Sequence, residues 1–161
     1  MKIKPIKQKD GIACGPTCIK MASEYLHIPL SMKKIQDVSK YKIKGGLSND
    51  EIVETLNKLG FQTQEKKSAS WEDLKKLNTK NNVIIVSWML HGYIGHVSVL
   101  DKVTKDHIFL ADSGVGKIIK LPKATFLRLW FDCDEVGHTK KNIDTQLRWM
   151  VVVKKDASLF L

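Results

Sequence analysis

Gln8-Lys9-Asp10-Gly11-Ile12-Ala13-Cys14-Gly15-Pro16-Thr17-Cys18 is a polar, turn-like approach that runs straight into a helix start, with a cysteine at the junction. Pro16 suits the first turn of a helix, where its missing N–H costs nothing. Cys18, Met21, Ala22 and Tyr25 then recur at helical spacing, and the pattern stops near His27–Pro29. A cysteine just ahead of such a helix meets unpaired N–H groups and the positive end of the dipole, which favour thiolate over thiol. Gly15 permits close approach of a substrate backbone, and Pro16 fixes the direction of the helix. Cys14 is therefore the candidate nucleophile. Its bland alternative is a buried structural thiol, the commoner fate of a cysteine.

Outward from this stretch, the first half of the chain reads as helical. Ser31 is placed to cap a short helix carrying Ile35 and Val38, and Gly45-Gly46 marks a turn. Ser48 with Glu51 forms a capping-box pattern ahead of Ile52, Leu56 and Leu59, and Gly60 stops that stripe. Ser70 with Asp73 repeats the signature before Leu74 and Leu77. The second half changes character. Val83–Met89, Ile94–Val103, His107–Asp112, Gly116–Leu121 and Leu147–Lys154 are short, β-branched runs separated by turn-like residues. Ala124–Phe131 reads as another short helix and Asp132–Asp144 as a polar surface loop. Helices first and antiparallel strands after predict an α+β fold, with residues 1–161 forming one domain.

Composition narrows the class. Hydrophobic residues make up 43% of the 161 and charged residues 27%, the balance of a globular chain rather than a disordered one. The longest strongly apolar run, Val83–Leu90 broken by Ser87, falls far short of the roughly 20 residues of a membrane-spanning helix. Met1-Lys2-Ile3-Lys4-Pro5 is basic but precedes no apolar stretch, so it does not read as a secretory signal and a cytoplasmic protein is expected. Cys14, Cys18 and Cys133 are too few and too poorly spaced for a disulfide framework or a zinc site, so neither metal nor cofactor is expected. Lys and Arg exceed Asp and Glu by 27 − 17 = 10. The lysines are spread along the whole chain without an aromatic-interleaved block, which reads as a solvated basic surface rather than a nucleic-acid site.

A thiolate needs a group that can protonate a departing amine, and histidine suits neutral pH. Five are available: His27, His91, His96, His107 and His138. A hairpin turn over Val103–Asp106, centred at Thr104, sets His96 opposite Asp112 on one face, with Cβ atoms about 4.5–5.5 Å apart. That arrangement suits an imidazole oriented by a carboxylate. A slip of one residue would separate the two faces. His91, five residues upstream beside a glycine-containing turn, is the rival base, and Asp112 could instead simply end a strand. Trp71, Trp88, Trp130 and Trp149 read as core or rim, with Trp88 and Trp130 able to border a cleft.

Gln8 six positions before Cys14, then Cys14-Gly15-Pro16-Thr17, and later Gly95-His96-Val97 followed by Asp112, together resemble the C39 and C39-like cysteine peptidases. The likeness spans Gln8 to about Trp130 and includes Gly46-Leu47-Ser48 at a helix opening and the Phe126–Trp130 segment. The resemblance implies a papain-like fold in which Cys14 attacks a peptide carbonyl. It also implies that His96 is base and then acid, that Asp112 orients it, and that Gln8 with the Cys14 backbone N–H forms the oxyanion hole. The best-known members sit at the N-terminus of bacterial peptide exporters and cut leader peptides after Gly-Gly. This sequence carries Ala13 where those members often have Asp, and Ser113 where Pro often follows the Asp. It is expected to stand alone, acting on a peptide or protein substrate with a peptide exporter as a partner in trans. Two other functions share the same residues: a thiol acyl-transfer enzyme of amidase or transglutaminase type, and a non-catalytic peptide-binding domain.

Overall fold

Residues 2–133 and 145–160 are described by a computed structural model. Among them the chain begins with helices α1 (Cys14–Tyr25), α2 (Met32–Ser39), α3 (Tyr41–Lys44) and α4 (Asn49–Lys58). Local chemistry fixes their ends. Ser31 Oγ accepts from Lys34 N at the start of α2. Ser48 and Glu51 complete a reciprocal capping box on α4, and Gly60 follows it at φ 86°, where a side chain would be strained. Ser70 and Asp73 do the same for α5 (Trp71–Leu77). The helix expected over Ala124–Phe131 is α6, Lys123–Leu129.

Eight strands follow or interleave among the described residues: β1 (Phe61–Lys66), β2 (Val83–Leu90), β3 (Ile94–Val103), β4 (His107–Asp112), β5 (Lys117–Pro122), β6 (Phe131–Cys133), β7 (Thr145–Leu147) and β8 (Met150–Lys155). Six of them form one antiparallel sheet in the order β1-β8-β2-β3-β4-β5, and β6 pairs with β7. The first half is thus not wholly helical, because β1 supplies one edge of the sheet. Its sequence Phe-Gln-Thr-Gln-Glu-Lys buries only Phe61, as an edge strand can, and so offers no apolar alternation to read. Of the loop expected over Asp132–Asp144, Asp132 and Cys133 lie in β6, and residues 134–144 lie outside the described residues.

The sheet is covered on both faces. Val83, Ile85, Val97, Val99 and Val151 point to one side and pack against Ile19 and Ala22 of α1, Ile35 of α2 and Leu56 of α4. Ile84, Val86, Leu100, Leu110 and Val152 point to the other and pack against Trp71 and Leu74 of α5 and Phe126 of α6. Burial on both faces explains why Val83–Val86 is a continuous apolar run rather than an alternating one.

The β3–β4 hairpin positions His96 and Asp112. Its turn is closed by Thr104, whose N–H donates to His107 O at 2.8 Å, so the turn is centred later than Thr104. Val103 pairs with Ile108 and Lys102 with Phe109, but Leu100 pairs with Leu110 and Val99 with Ala111. Asp101 is the extra residue of this bulge. Its Oδ1 accepts from Ile3 N at 2.6 Å, which ties the N-terminal segment to the kink.

Candidate active site

Cys14 is the first residue of α1 itself rather than a residue ahead of it, with Ala13 as the N-cap and no side-chain cap. Its backbone N–H is therefore one of the helix's unpaired donors. One turn on, Cys18 is fully buried and its Sγ donates to Val97 O at 3.4 Å, which docks the start of α1 beside the start of β3. Burial, then the negative charges of Cys14 and Asp112, push the Cys18 thiol well up. That is the chemistry of an inert thiol.

His96 and Asp112 come together. His96 Nε2 donates to Asp112 Oδ2 at 2.7 Å, with 7% and 3% of the two residues exposed. The expected cross-strand pairing is corrected in one respect. One step beyond Val99 and Ala111, the register sets Asp112 against Ser98, so His96 reaches it diagonally from two residues away. The displacement is even, and the shared face survives. Burial works against protonation of His96, but its hydrogen bonds to Asp112 and Cys14, with their charges, raise it from 6.5 to about 9. With Nε2 on the carboxylate, Nδ1 is the ring nitrogen left to meet the Cys14 thiol. Burial works the other way on Asp112, yet donation from His96, Ser98 Oγ and Val115 N holds its carboxyl below the ordinary carboxylate value.

Two residues that sequence reasoning missed, Ser98 and Gly114, shape this pair together with Trp88, which the sequence suggested as a cleft-bordering residue. Ser98 Oγ donates to Asp112 Oδ2 at 3.0 Å and itself accepts from Trp88 Nε1 at 3.0 Å. Ser98 lies two residues from His96 in one strand, and that spacing was the available signal. The Trp88 ring also meets the imidazole edge-on, with centroids 5.8 Å apart. A Cβ on Gly114 would lie 3.1 Å from Asp112 Oδ1 and 3.7 Å from His96 Cε1, so a side chain there would crowd the carboxylate.

Gln8 is anchored beside the same strand end. Its N–H donates to Ser113 O at 2.9 Å, and Ser113 Oγ donates to Gln8 Oε1 at 2.7 Å. Gly15 has a different role from the one expected. It is buried, and Leu47 carbons stand 3.2 Å from where its Cβ would be, so the close approach is made by the chain's own loop. His91 sits exposed in the turn after β2 at φ 56°, its ring against Tyr93. His27 is exposed at the end of α1, His107 lies at the far end of β4, and His138 is outside the described residues. Trp71, Trp130 and Trp149 are buried in the core. Among the described residues no cluster of His, Cys, Asp or Glu could hold a metal ion, and no helix is long and apolar enough to cross a membrane.

A cysteine-bearing helix docked on an antiparallel sheet that carries a histidine and its carboxylate is the architecture of the papain-like class. The sequence profile of the Peptidase C39 family matches residues 2–133, and the chain belongs to that family. Solved structures agree on the fold. The peptidase domain of Streptococcus ComA, a bi-functional ABC transporter involved in a quorum-sensing pathway, superposes with a TM-score of 0.73 at 20% identity, covering 96% of this chain and 100% of that one. A double-glycine-motif protease from an AMS/PCAT transporter, solved with the leader peptide, gives 0.71 at 17% identity, covering 96% and 93%. The ComA peptidase domain of Streptococcus mutans gives 0.61 at 20%, covering 93% and 98%. No curated protein sequence matches the chain.

Proposed function

We propose that the chain, acting as one domain, is a cysteine peptidase that hydrolyses a peptide bond in a leader-type substrate. The observation that carries this reading is the buried His96–Asp112 pair beside Cys14 at a helix N-terminus. At neutral pH a histidine raised to about 9 is an imidazolium, the form that can give a proton to a departing amine.

The thiolate attacks the peptide carbonyl carbon, and the oxyanion that forms takes hydrogen bonds from the Cys14 backbone N–H and the Gln8 side-chain amide. As the C–N bond breaks, His96 gives its proton to the departing amine, leaving an acyl-enzyme at Cys14. Neutral His96 then removes a proton from water, whose oxygen attacks the thioester carbonyl. Collapse releases the carboxylic acid and restores thiolate and imidazolium. Asp112 stays ionised throughout and holds the ring in place.

Two of the similar structures are described with an ABC transporter or a leader peptide. We extend that to a leader-bearing peptide cut in the cytoplasm, with an exporter acting in trans. Alkylation by iodoacetamide near neutral pH, followed by peptide mapping, tests the first step. Cys14 is expected to react more than about tenfold faster than in His96→Ala. Equal rates in the two proteins would overturn the reading.

A further inference from the structure

Gln8 and Ser113 lie far apart in sequence yet are joined twice, once through backbone and once through side chains. Gln8 N donates to Ser113 O at 2.9 Å, and Ser113 Oγ donates to Gln8 Oε1 at 2.7 Å. On its other side the Gln8 amide is held by its own loop, since Nε2 donates to Asp10 O at 2.7 Å. Both ends of the amide are therefore specified. Rotating it by half a turn would set Oε1 against the Asp10 carbonyl, acceptor against acceptor, and would reverse the Ser113 bond, leaving the buried hydroxyl to accept and its own proton without this acceptor. Nε2 carries two protons. One goes to Asp10, and the second has no acceptor among the described residues.

Ser113 is fully buried and bonded in sequence to Asp112, which holds His96. A single strand end thus carries the group that fixes the imidazole and, one residue later, the group that fixes the glutamine amide. From this geometry we infer that Ser113 is a positioning residue. Its hydroxyl holds the Gln8 amide so that Nε2 presents its second proton to the oxyanion, and it locks that donor to the strand end bearing Asp112.

The inference rests on the peptidase reading, and the test separates the two. Acylation of Cys14 by p-nitrophenyl acetate passes through a tetrahedral oxyanion, whereas alkylation by iodoacetamide is a displacement at carbon that forms none. Both need the same thiolate and the same imidazole. Ser113→Ala is expected to slow acylation about tenfold, a fraction of the full loss on removing an oxyanion donor. Alkylation should stay within about twofold of the unaltered protein, because the nucleophile is intact. Gln8→Ala, at a half-exposed position, sets the full loss of the donor, and adding Ser113→Ala to it should cost nothing more. Ser113→Thr, which keeps the hydroxyl, should restore acylation. Unchanged acylation in Ser113→Ala, equal losses in acylation and alkylation, or a further loss in the Gln8→Ala background would each overturn the inference. A wild-type protein that alkylates but is not acylated would instead overturn the peptidase reading.

Discussion

The imidazole of His96 and the carboxylate of Asp112 meet at 2.7 Å, although the strand register sets Asp112 against Ser98 rather than against His96. The meeting depends on a bulge. If the pairing of Lys102 with Phe109 ran on uninterrupted, Asp112 would fall opposite Val99 and point to the α1 face of the sheet. Leaving Asp101 out of the ladder returns it to the face of His96. Deleting Asp101 removes the extra residue and leaves Leu100 opposite Leu110 and Ser98 opposite Asp112 in a regular ladder. The pair is therefore expected to survive, and an NMR titration of His96 should still give about 9. A deletion protein that folds but whose His96 value falls well below about 9 would contradict this register.

Asp101→Ala leaves the bulge in place but strands the Ile3 N–H, which now donates to a nearly buried carboxylate. A loss of about 1–3 kcal/mol in urea unfolding is expected. Asp101→Asn retains an acceptor at that oxygen and should lose less. Equal stability of Asp101→Ala and the unaltered protein would show that the anchor contributes nothing.

Ser98→Ala removes one of the donors to Asp112 and leaves Trp88 Nε1–H without its partner. Unfolding free energy should fall by about 1–3 kcal/mol. The Asp112 carboxyl should rise toward its ordinary value, because a donor to the ionised form is gone. An NMR titration in which the Asp112 carboxyl does not move upward would argue against the contact.

His96 also predicts the pH dependence of stability. Its folded value, about 9, lies above the ordinary 6.5, so its contribution is complete below about 6.5 and is lost as pH climbs through about 9. Asp112 is shifted downward, so its contribution is present above the ordinary 3.8 and is lost as pH falls through the lower folded value. Urea midpoints should therefore fall between about pH 6 and about pH 10, and the fall should be smaller in His96→Gln. A midpoint that rises over that range would contradict the assignment.

Much of the fold and the site was legible in the sequence. Strands Ile94–Val103 and His107–Asp112 are bounded as expected, because β-branched runs and turn residues mark them cleanly. Ser31, Ser48 and Ser70 cap helices as their spacing predicts. The approach of His96 to Asp112 was readable only because the register error was even. The later turn and the Asp101 bulge are decided by backbone pairing, which leaves no mark in composition. Strand β1 escaped because a polar edge strand has no buried face to pattern. The Ser98 and Ser113 contacts were hidden for another reason. A serine's hydroxyl serves whichever neighbour the fold supplies, so its residue type does not announce its partner.

Whether Cys14 cuts peptides is decided by incubating the protein with a set of peptides that includes a Gly-Gly leader and reading the products by mass spectrometry. Discrete amide-cleavage products are expected with the unaltered chain and none with Cys14→Ala. The same products from Cys14→Ala, or no cleavage of any peptide by the folded unaltered chain, would contradict a peptidase acting through this thiol.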